Sequence, residues 1–466
     1  MSTIDRIRSY GEVIRLTPYD TSTEYGRSKE RYRLIALSSF TSIFAKLITS
    51  LLGLITVPLT VNYLGKEQFG LWMVVSSLIV WMQLADFGIS NGLTNALAEA
   101  HGRDDRETAT SYVSTAFVAT TLIALICLGP VIALAYFLPW ESILNLQSLA
   151  LKPMVINCFI LAGLMFVLNL PLAIVNRIFI AYQLSYVVNL TQIVSSLVAL
   201  LGLILAVKLK LSLPMLVLLI SVGPLVGNVI AWIMLKRKTP WLSIGIRTVS
   251  WPAFRRVANS SVPMFVYLAG SMLTCQLVNV IIAQVGSLSM VADYNILWKI
   301  YLMIFTLGVS FSTPFYAAIR EAFERKEADW VAKSITRALK IRLAVILSPA
   351  LFLVFYGDWI IKIWVKKQLE SPFGLYGWLL FFGCMILYTL YSTLSEILVS
   401  LDRIWAQNFL LISSSIIALV GHYLFIPIIG LKAYYLVSSV TIVIPIVYSI
   451  CSVKLIVNKL KDSIYG

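Results

Sequence analysis

The residues of this chain that could do chemistry are charged side chains embedded in long apolar segments. Lys46 and Asp86 interrupt the first two apolar segments, and Lys299 interrupts a later one. An ionisable group inside a membrane costs about 2.5–3.5 kcal/mol on insertion scales, so each one is a candidate for function. A buried cation could attract an anion, whereas a buried carboxylate could pair with a cation or carry a coupling proton.

Lys46 and Asp86 also have a structural interpretation. They are predicted to lie at similar depths on consecutive helices. Either they form an ion pair that holds these helices together, or at least one of the two charges faces a cavity. Lys299 is predicted to lie too deep to reach the membrane interface with its long side chain, which favours a cavity.

Three further charges lie nearer to helix ends. Arg177 is predicted either to extend to the membrane interface or to form a cationic lip at the mouth of a cavity. Glu396 is predicted to have a similar depth and to pair with a cation. Asp293 lies near the outer end of its helix, within reach of headgroups or water, and completes the set of candidates for ion coupling or ion pairing.

Other reactive residue types form no catalytic or metal-binding pattern. The two histidines, His101 and His422, have no partners at the spacings that nucleophiles or metal ligands require, and the five cysteines occur singly. The segments between apolar runs leave no room for an extramembrane catalytic domain. We therefore expect a protein that is not an enzyme and that uses no cofactor or metal.

The elements that must position these charges are transmembrane helices. The chain is 59% hydrophobic and 13% charged, whereas soluble domains carry about 25% charged residues. Apolar segments long enough to cross a bilayer predict an all-α polytopic membrane protein with about twelve spans. We place these spans at about 34–63, 69–99, 109–138, 154–182, 184–207, 214–235, 260–286, 289–320, 338–357, 375–400, 404–427 and 433–456.

The longest polar stretch between spans divides the chain into two halves. Residues 1–33 are predicted to form a cytoplasmic arm, and residues 34–236 a six-helix lobe. A cytoplasmic linker follows at residues 237–259, then a second six-helix lobe at 260–456 and a cytoplasmic tail at 457–466. The net charge of +15 comes from Lys and Arg between spans, without the basic stripe of a nucleic-acid site. Placing every arginine in or next to a cytoplasmic segment requires both termini in the cytoplasm.

Two short segments resemble a family signature. Residues 61–72 read VNYLGKEQFGLW, and residues 85–89 read ADFGI, followed by NGL at residues 91–93. Together they resemble the start of the Wzx-type O-antigen flippases, which belong to the polysaccharide transporter family. The same superfamily includes lipid II flippases and multidrug and toxin extrusion transporters. This chain differs from lipid II flippases in lacking two further C-terminal helices and an arginine-rich first helix.

The resemblance implies two six-helix lobes around a central, cationic cavity in the bacterial inner membrane. It also implies that alternating access moves undecaprenyl-diphosphate-linked oligosaccharides, such as O-antigen units for lipopolysaccharide, to the outer leaflet. Lys46 and Lys299 match the expected diphosphate-binding cations, and Arg177 matches less closely. The implied partners are the lipid-linked glycan, membrane lipids, a polysaccharide polymerase and a chain-length regulator. No nucleic acid is expected.

Polar side chains within the spans have two interpretations under this resemblance. They either connect helices or line a cavity for sugars, and Trp81 and Trp298 could stack on sugar rings. The polar residues in question are Asn157, Asn169, Asn176, Asn189, Gln192, Asn228, Gln276 and Asn279.

A cation-coupled drug or metabolite antiporter of the same fold is the alternative function. It requires acidic residues deep in the cavity, but the deep charges here are lysines as often as carboxylates. A membrane-embedded glycan polymerase or ligase would require a sizeable external loop, and the sequence has none.

Overall fold

The computed structural model describes residues 19–20, 23–146, 151–259, 262–366, 373–401 and 404–465. The predicted arm over residues 1–33 therefore lies largely outside the described residues, as does the side chain of Trp81. The described secondary structure is helical throughout. The helices are α1 Glu24–Met82, α2 Ile89–Gly102, α3 Arg106–Phe137, α4 Trp140–Ile143, α5 Lys152–Leu172, α6 Ile174–Ala181, α7 Ser185–Lys208, α8 Leu213–Lys238, α9 Trp251–Asn259, α10 Val262–Val285, α11 Leu288–Glu324, α12 Ala328–Val365, α13 Gly374–Ser400, α14 Ile404–Ile429, α15 Lys432–Thr441 and α16 Val443–Tyr465.

These helices confirm an all-α polytopic membrane protein with about twelve spans. Ten apolar stretches of the described residues are long enough to cross a membrane. One of them, Ala36–Asp86, has 51 residues and contains a helix break at Gly65, so it supplies two spans. The 24-residue helix α10 is also long enough, which brings the total to twelve.

Two helices differ in their bounds from the predicted spans. The predicted span over residues 69–99 is interrupted by a short 3₁₀ turn, Gln83–Asp86, before α2 begins at Ile89. The predicted span over residues 338–357 is the middle of α12, which starts ten residues earlier at Ala328. At 1.5 Å per residue its 38 residues reach about 57 Å, well beyond the roughly 30 Å of bilayer hydrocarbon.

The chain folds into two compact units, which we call unit 1 and unit 2. Unit 1 contains Met1–Leu52, Ala85–Ala135 and Ile160–Met264, and unit 2 contains Gly53–Leu84, Tyr136–Phe159 and Phe265–Gly466. In unit 1 a buried core joins α2, α3, α6 and the end of α8. In unit 2 another buried core joins α11, α12, α13 and α16. Within unit 1, the absence of a side chain at Gly223 allows α8 to pack closely against α7. A Cβ at this position would lie only 2.4 Å from the Ser195 carbonyl oxygen.

Candidate functional site

The first signature segment forms a helix break followed by an ion pair, all within unit 2. Gly65 has φ 80° and ψ 168°, a backbone conformation that strongly favours glycine. The next residue, Lys66, places its Nζ 2.6 Å from Asp293 Oδ1 in α11. Gly70 lies against the start of the same helix, where a Cβ would collide with the Leu288 backbone. The segment therefore fixes the second half of α1 to the beginning of α11.

Asp293 is thus part of a buried ion pair rather than an interfacial charge. Its side chain is 5% exposed, and that of Lys66 is 16% exposed. Sequence reasoning placed Lys66 in an outer loop and missed this pairing, because the partners are more than 220 residues apart in the chain.

The second signature segment forms the break between α1 and α2 in unit 1. Phe87 and Gly88 both have positive φ angles, 48° and 77°. Asp86 Oδ1 accepts a hydrogen bond from the Gly88 backbone N–H at 2.7 Å, which stabilises this turn directly before α2 begins. The described residues contain no ion pair between Lys46 and Asp86, so the predicted structural pair is not formed. The Asp86 charge instead acts on Arg177, although these two groups make no ion pair.

The three cations proposed from the sequence share one property. Within the described part of the chain, the side chains of Lys46, Arg177 and Lys299 make no hydrogen bond and no ion pair, although all three are only partly exposed. Lys46 and Arg177 belong to unit 1, whereas Lys299 belongs to unit 2. A cation that forms no ion pair in an apolar helix remains available to an anionic ligand, although Arg177 lies within the electrostatic influence of Asp86.

Glu396 has the cationic partner that the sequence suggested, and the partner is Arg342. Arg342 Nη1 lies 2.8 Å from Glu396 Oε2, and its Nη2 donates to Oε1 at 3.2 Å, which gives a bidentate pair. Nη1 also donates to the Tyr316 hydroxyl at 2.9 Å, and the guanidinium lies 4.7 Å from the centre of the Phe305 ring. Arg342 is fully buried, whereas the Glu396 side chain is 31% exposed.

The sequence grouped Arg342 with the arginines at the cytoplasmic side and suggested no partner for it. In the structure α12 begins at Ala328, and Arg342, fourteen residues inside this helix, is buried against Glu396. The only feature of the sequence that could have indicated this pairing is a charged residue on the buried side of a long helix.

Most of the polar residues within the spans connect helices. In unit 1, Asn176 Nδ2 donates to Asn228 Oδ1 at 2.9 Å, and Asn228 Nδ2 donates to Asn169 Oδ1 at 2.8 Å. Asn189 Nδ2 donates to the Ser38 carbonyl and to the Thr41 hydroxyl. In unit 2, Asn295 donates to Asn279 Oδ1 at 2.8 Å. By contrast, Asn157 and Gln192 are exposed.

The helix interruption between α5 and α6 shows why these contacts are needed. At the turn at Ala173 the Asn176 N–H donates to the Ala173 carbonyl at 3.1 Å instead of to the Leu172 carbonyl, which leaves the regular helical pattern. Trp232 Nε1 of α8 donates to this carbonyl at 2.9 Å. An unpaired carbonyl in hydrocarbon would cost several kcal/mol, so a neighbouring helix must supply the donor.

Four aromatic residues form a ladder along one face of α11. Tyr294, Trp298, Tyr301 and Phe305 follow helical spacing, and their successive ring centres are 6.2, 5.3 and 5.2 Å apart. The ladder begins next to Asp293 in sequence and ends at the Phe305 contact with Arg342. One end of the ladder therefore contacts the Arg342–Glu396 pair, and the other end packs against Tyr434.

Trp298 also lines a cavity inside unit 2. The cavity has a volume of about 60 Å³, which is enough for a few water molecules. Its lining contains no Asp, Glu, Lys or Arg and consists of Trp298, Cys384, Met385, Tyr388, Tyr391, Leu411, Ser414, Ser415, Ala418, Leu419, His422, Tyr434, Ser438, Thr441, Ile442 and Pro445.

His422 forms part of the wall of this cavity, with only 3% of its surface exposed. Its Nε2 lies 3.0 Å from the Ser438 hydroxyl, and its Nδ1 is buried without a hydrogen-bond partner among the described residues. The cavity thus combines aromatic faces, hydroxyls and one unsatisfied ring nitrogen. Elsewhere in the described chain no cluster of three or more His, Cys, Asp or Glu residues could hold a metal ion.

The sequence profile of the polysaccharide biosynthesis protein family matches residues 36–319 of the chain. The chain is 21% identical over 337 residues to EpsK of Bacillus subtilis (strain 168), an uncharacterized membrane protein, and covers 65% of that relative. It is 28% identical over 177 residues to a proposed O-antigen transporter of Salmonella typhi, of which it covers 39%. These alignments include 71% and 37% of this chain, respectively.

Solved transporters of the MOP superfamily share the fold. A multidrug resistance MATE family transporter in an inward-facing conformation has a TM-score of 0.76 at 13% identity, with 91% of this chain and 99% of that chain aligned. The lipid II flippase MurJ in an inward closed conformation has a TM-score of 0.69 at 18% identity, with 91% and 90% aligned. The profile match confirms the family resemblance drawn from the two signature segments, and the chain belongs to the polysaccharide biosynthesis protein family.

Proposed function

We propose that this protein is a flippase that moves a polyprenyl-diphosphate-linked oligosaccharide from the inner to the outer leaflet of the bacterial cytoplasmic membrane. The observation that carries the proposal is that the acidic and the basic candidates differ in whether they have partners within the protein. The acidic candidates Asp86, Asp293 and Glu396 all interact with donors or cations of the protein. The basic candidates Lys46, Arg177 and Lys299 make no hydrogen bond and no ion pair in the described chain, although the Asp86 charge acts on Arg177.

A diphosphate is the substrate group that fits these cations. Charge-assisted contacts to phosphate are stronger than neutral hydrogen bonds, and they strengthen further in a low dielectric. Lys46 and Arg177 in unit 1 and Lys299 in unit 2 are each assigned a role in attracting the diphosphate. The polyprenyl chain would remain in lipid, where it loses no hydrophobic stabilisation.

The same charges argue against the antiporter alternative. A site for a cationic drug or a metal ion needs carboxylates that can face the cargo, whereas Asp293 and Glu396 are occupied by Lys66 and Arg342. The name of the Salmonella typhi relative, an O-antigen transporter, also favours glycan transport, whereas MurJ and the MATE neighbour share the fold alone.

We predict that Lys46→Ala and Lys299→Ala each reduce export of the surface glycan by about tenfold to a hundredfold, because a hydrogen bond to a charged group contributes about 1.5–3 kcal/mol. Lys46→Arg retains part of the activity because it keeps the charge. The assay is complementation of a deletion strain, with glycan quantified at the cell surface and the protein quantified in the membrane. Lys208→Ala, which removes an exposed lysine at the end of α7, is the matched control.

Normal export by both alanine variants at wild-type membrane levels would show that these cations do not bind the diphosphate. Equal losses in Lys208→Ala would indicate a general effect of net charge instead.

The cavity of unit 2 is proposed to contact a sugar ring of the substrate. Its neutral lining suits a hydroxylated ring better than an ion, and Trp298 presents an aromatic face to it. We predict that Trp298→Leu lowers glycan export while the protein still reaches the membrane. Trp359→Leu, which truncates a 61% exposed tryptophan of α12, serves as the control and retains export. Equal export by the two variants would remove Trp298 from the site.

Glu396 is the strongest of the three acidic candidates for coupling. A coupling carboxylate must exchange a proton or an ion with water, and Glu396 is 31% exposed, compared with 5% for Asp293. Asp86 is occupied by a local turn. A coupling proton on Glu396 would weaken its bidentate pair with Arg342 and so change the contacts between α12 and α13.

We predict that Glu396→Gln makes transport in reconstituted vesicles insensitive to an imposed pH gradient, because the amide cannot take up or release a proton. Asp293→Asn, which alters the other buried ion pair of unit 2, keeps the gradient dependence. A Glu396→Gln protein that melts at a lower temperature but still responds to the gradient would leave Glu396 with a purely structural role.

A further inference from the structure

The segment between α8 and α10 has an unusual charge composition. Residues 236–259 contain six basic residues and no Asp or Glu. The basic residues are Lys236, Arg237, Lys238, Arg247, Arg255 and Arg256. From here on we use the name linker for residues 236–259, which are the predicted linker 237–259 and Lys236 directly before it. The orientation drawn from the sequence places this segment on the cytoplasmic side.

The linker is fixed to unit 1 by specific hydrogen bonds. Thr248 Oγ1 donates to Ser114 Oγ of α3 at 2.8 Å, and the Ser250 N–H donates to Thr115 Oγ1 at 3.2 Å. On α9, Ala253 is 4% exposed and Val257 is 1% exposed. The linker therefore presents one defined outer surface instead of behaving as a flexible tether.

One of its six cations is also used for this attachment. Arg256 Nη2 lies 2.6 Å from Glu99 Oε2 of α2, and this contact lowers the pKa of the Glu99 carboxyl. Arg247 and Arg255 are exposed and have no acidic partner in the described chain. At least two cations thus remain on the outer surface of the linker.

Large apolar side chains accompany these cations on the outer surface. Ile246 is 83% exposed and Trp251 is 72% exposed, and Ile244 and Val249 are exposed to a smaller extent. Two large apolar side chains this exposed within six residues of one segment can mark a surface that binds a membrane or a partner. The combination of arginines with an exposed tryptophan and aliphatic residues is typical of segments that lie in a membrane interface.

From these observations we infer that the linker is a binding surface for anionic phospholipid headgroups. Arg247 and Arg255 contact the headgroup phosphates, while Ile246 and Trp251 enter the boundary between headgroups and acyl chains. A bilayer is favoured over a protein partner because α8, a membrane-spanning helix, ends at Lys238, only a few residues before this surface. This inference does not depend on which substrate the protein transports.

The first test measures membrane depth at residue 246. Ile246→Cys is introduced into a variant that lacks the five native cysteines, labelled with a nitroxide and reconstituted in nanodiscs. In nanodiscs with phosphatidylglycerol, the label should collide more often with oxygen than with a water-soluble nickel complex. The same label at Glu107→Cys, an exposed position at the start of α3, should stay accessible to nickel. Equal nickel access at residues 246 and 107 would contradict the inference.

The second test measures the role of charge with short-chain phosphatidylglycerol as the probe. Arg247→Gln/Arg255→Gln should weaken its binding by about fivefold per arginine, or roughly 25-fold in total. Lys208→Gln/Lys210→Gln removes the same charge from the exposed end of α7 and should leave binding unchanged. Equal weakening in both double variants would reveal nonspecific attraction. Displacement of the lipid by inorganic phosphate at similar concentration would reveal a site for free anions. Either result would overturn the proposed lipid surface.

Discussion

Hydrocarbon cannot form hydrogen bonds, and this constraint determines how the polar groups of the chain are arranged. Every interrupted turn and buried polar side chain must find its partner within the protein. The asparagine network of unit 1 and the Trp232 bond to Leu172 satisfy this requirement with neutral groups. The Lys66–Asp293 and Arg342–Glu396 pairs satisfy it with charges. Lys46 and Lys299, by contrast, are charged groups that have no partner among the described residues.

The same constraint explains the two signature segments. Each contains a glycine with positive φ, Gly65 or Gly88, where a helix is interrupted. Each also contains a charge close to the interruption, and these charges are Lys66 and Asp86. Lys66 pairs with Asp293 of α11, and Asp86 caps the turn before α2. Backbone geometry and helix contacts thus account for the glycines and the charges of both segments.

The class of fold could be predicted from the sequence because hydropathy depends only on local composition. About twelve apolar spans were sufficient to specify a polytopic helical protein. Contacts could not be predicted, since helix ends and rotations decide them. An early start for α12 carried Arg342 into the protein interior, and a break after Met82 directed Asp86 to its own turn instead of to Lys46. The deep cations Lys46 and Lys299 were chosen from the sequence by depth alone, and neither has a partner among the residues that the structure describes.

The most direct test of the account is the location of lipid-linked glycan in a strain that lacks this protein. We expect loss of surface glycan, with polyprenyl-diphosphate oligosaccharide accumulating on the cytoplasmic leaflet, because the proposed role is to carry this lipid across the membrane. Leaflet position is measured by the access of a membrane-impermeant glycan-modifying enzyme in oriented vesicles. Normal surface glycan in the deletion strain, accompanied by altered sensitivity to cationic drugs, would contradict the account and support the antiporter instead.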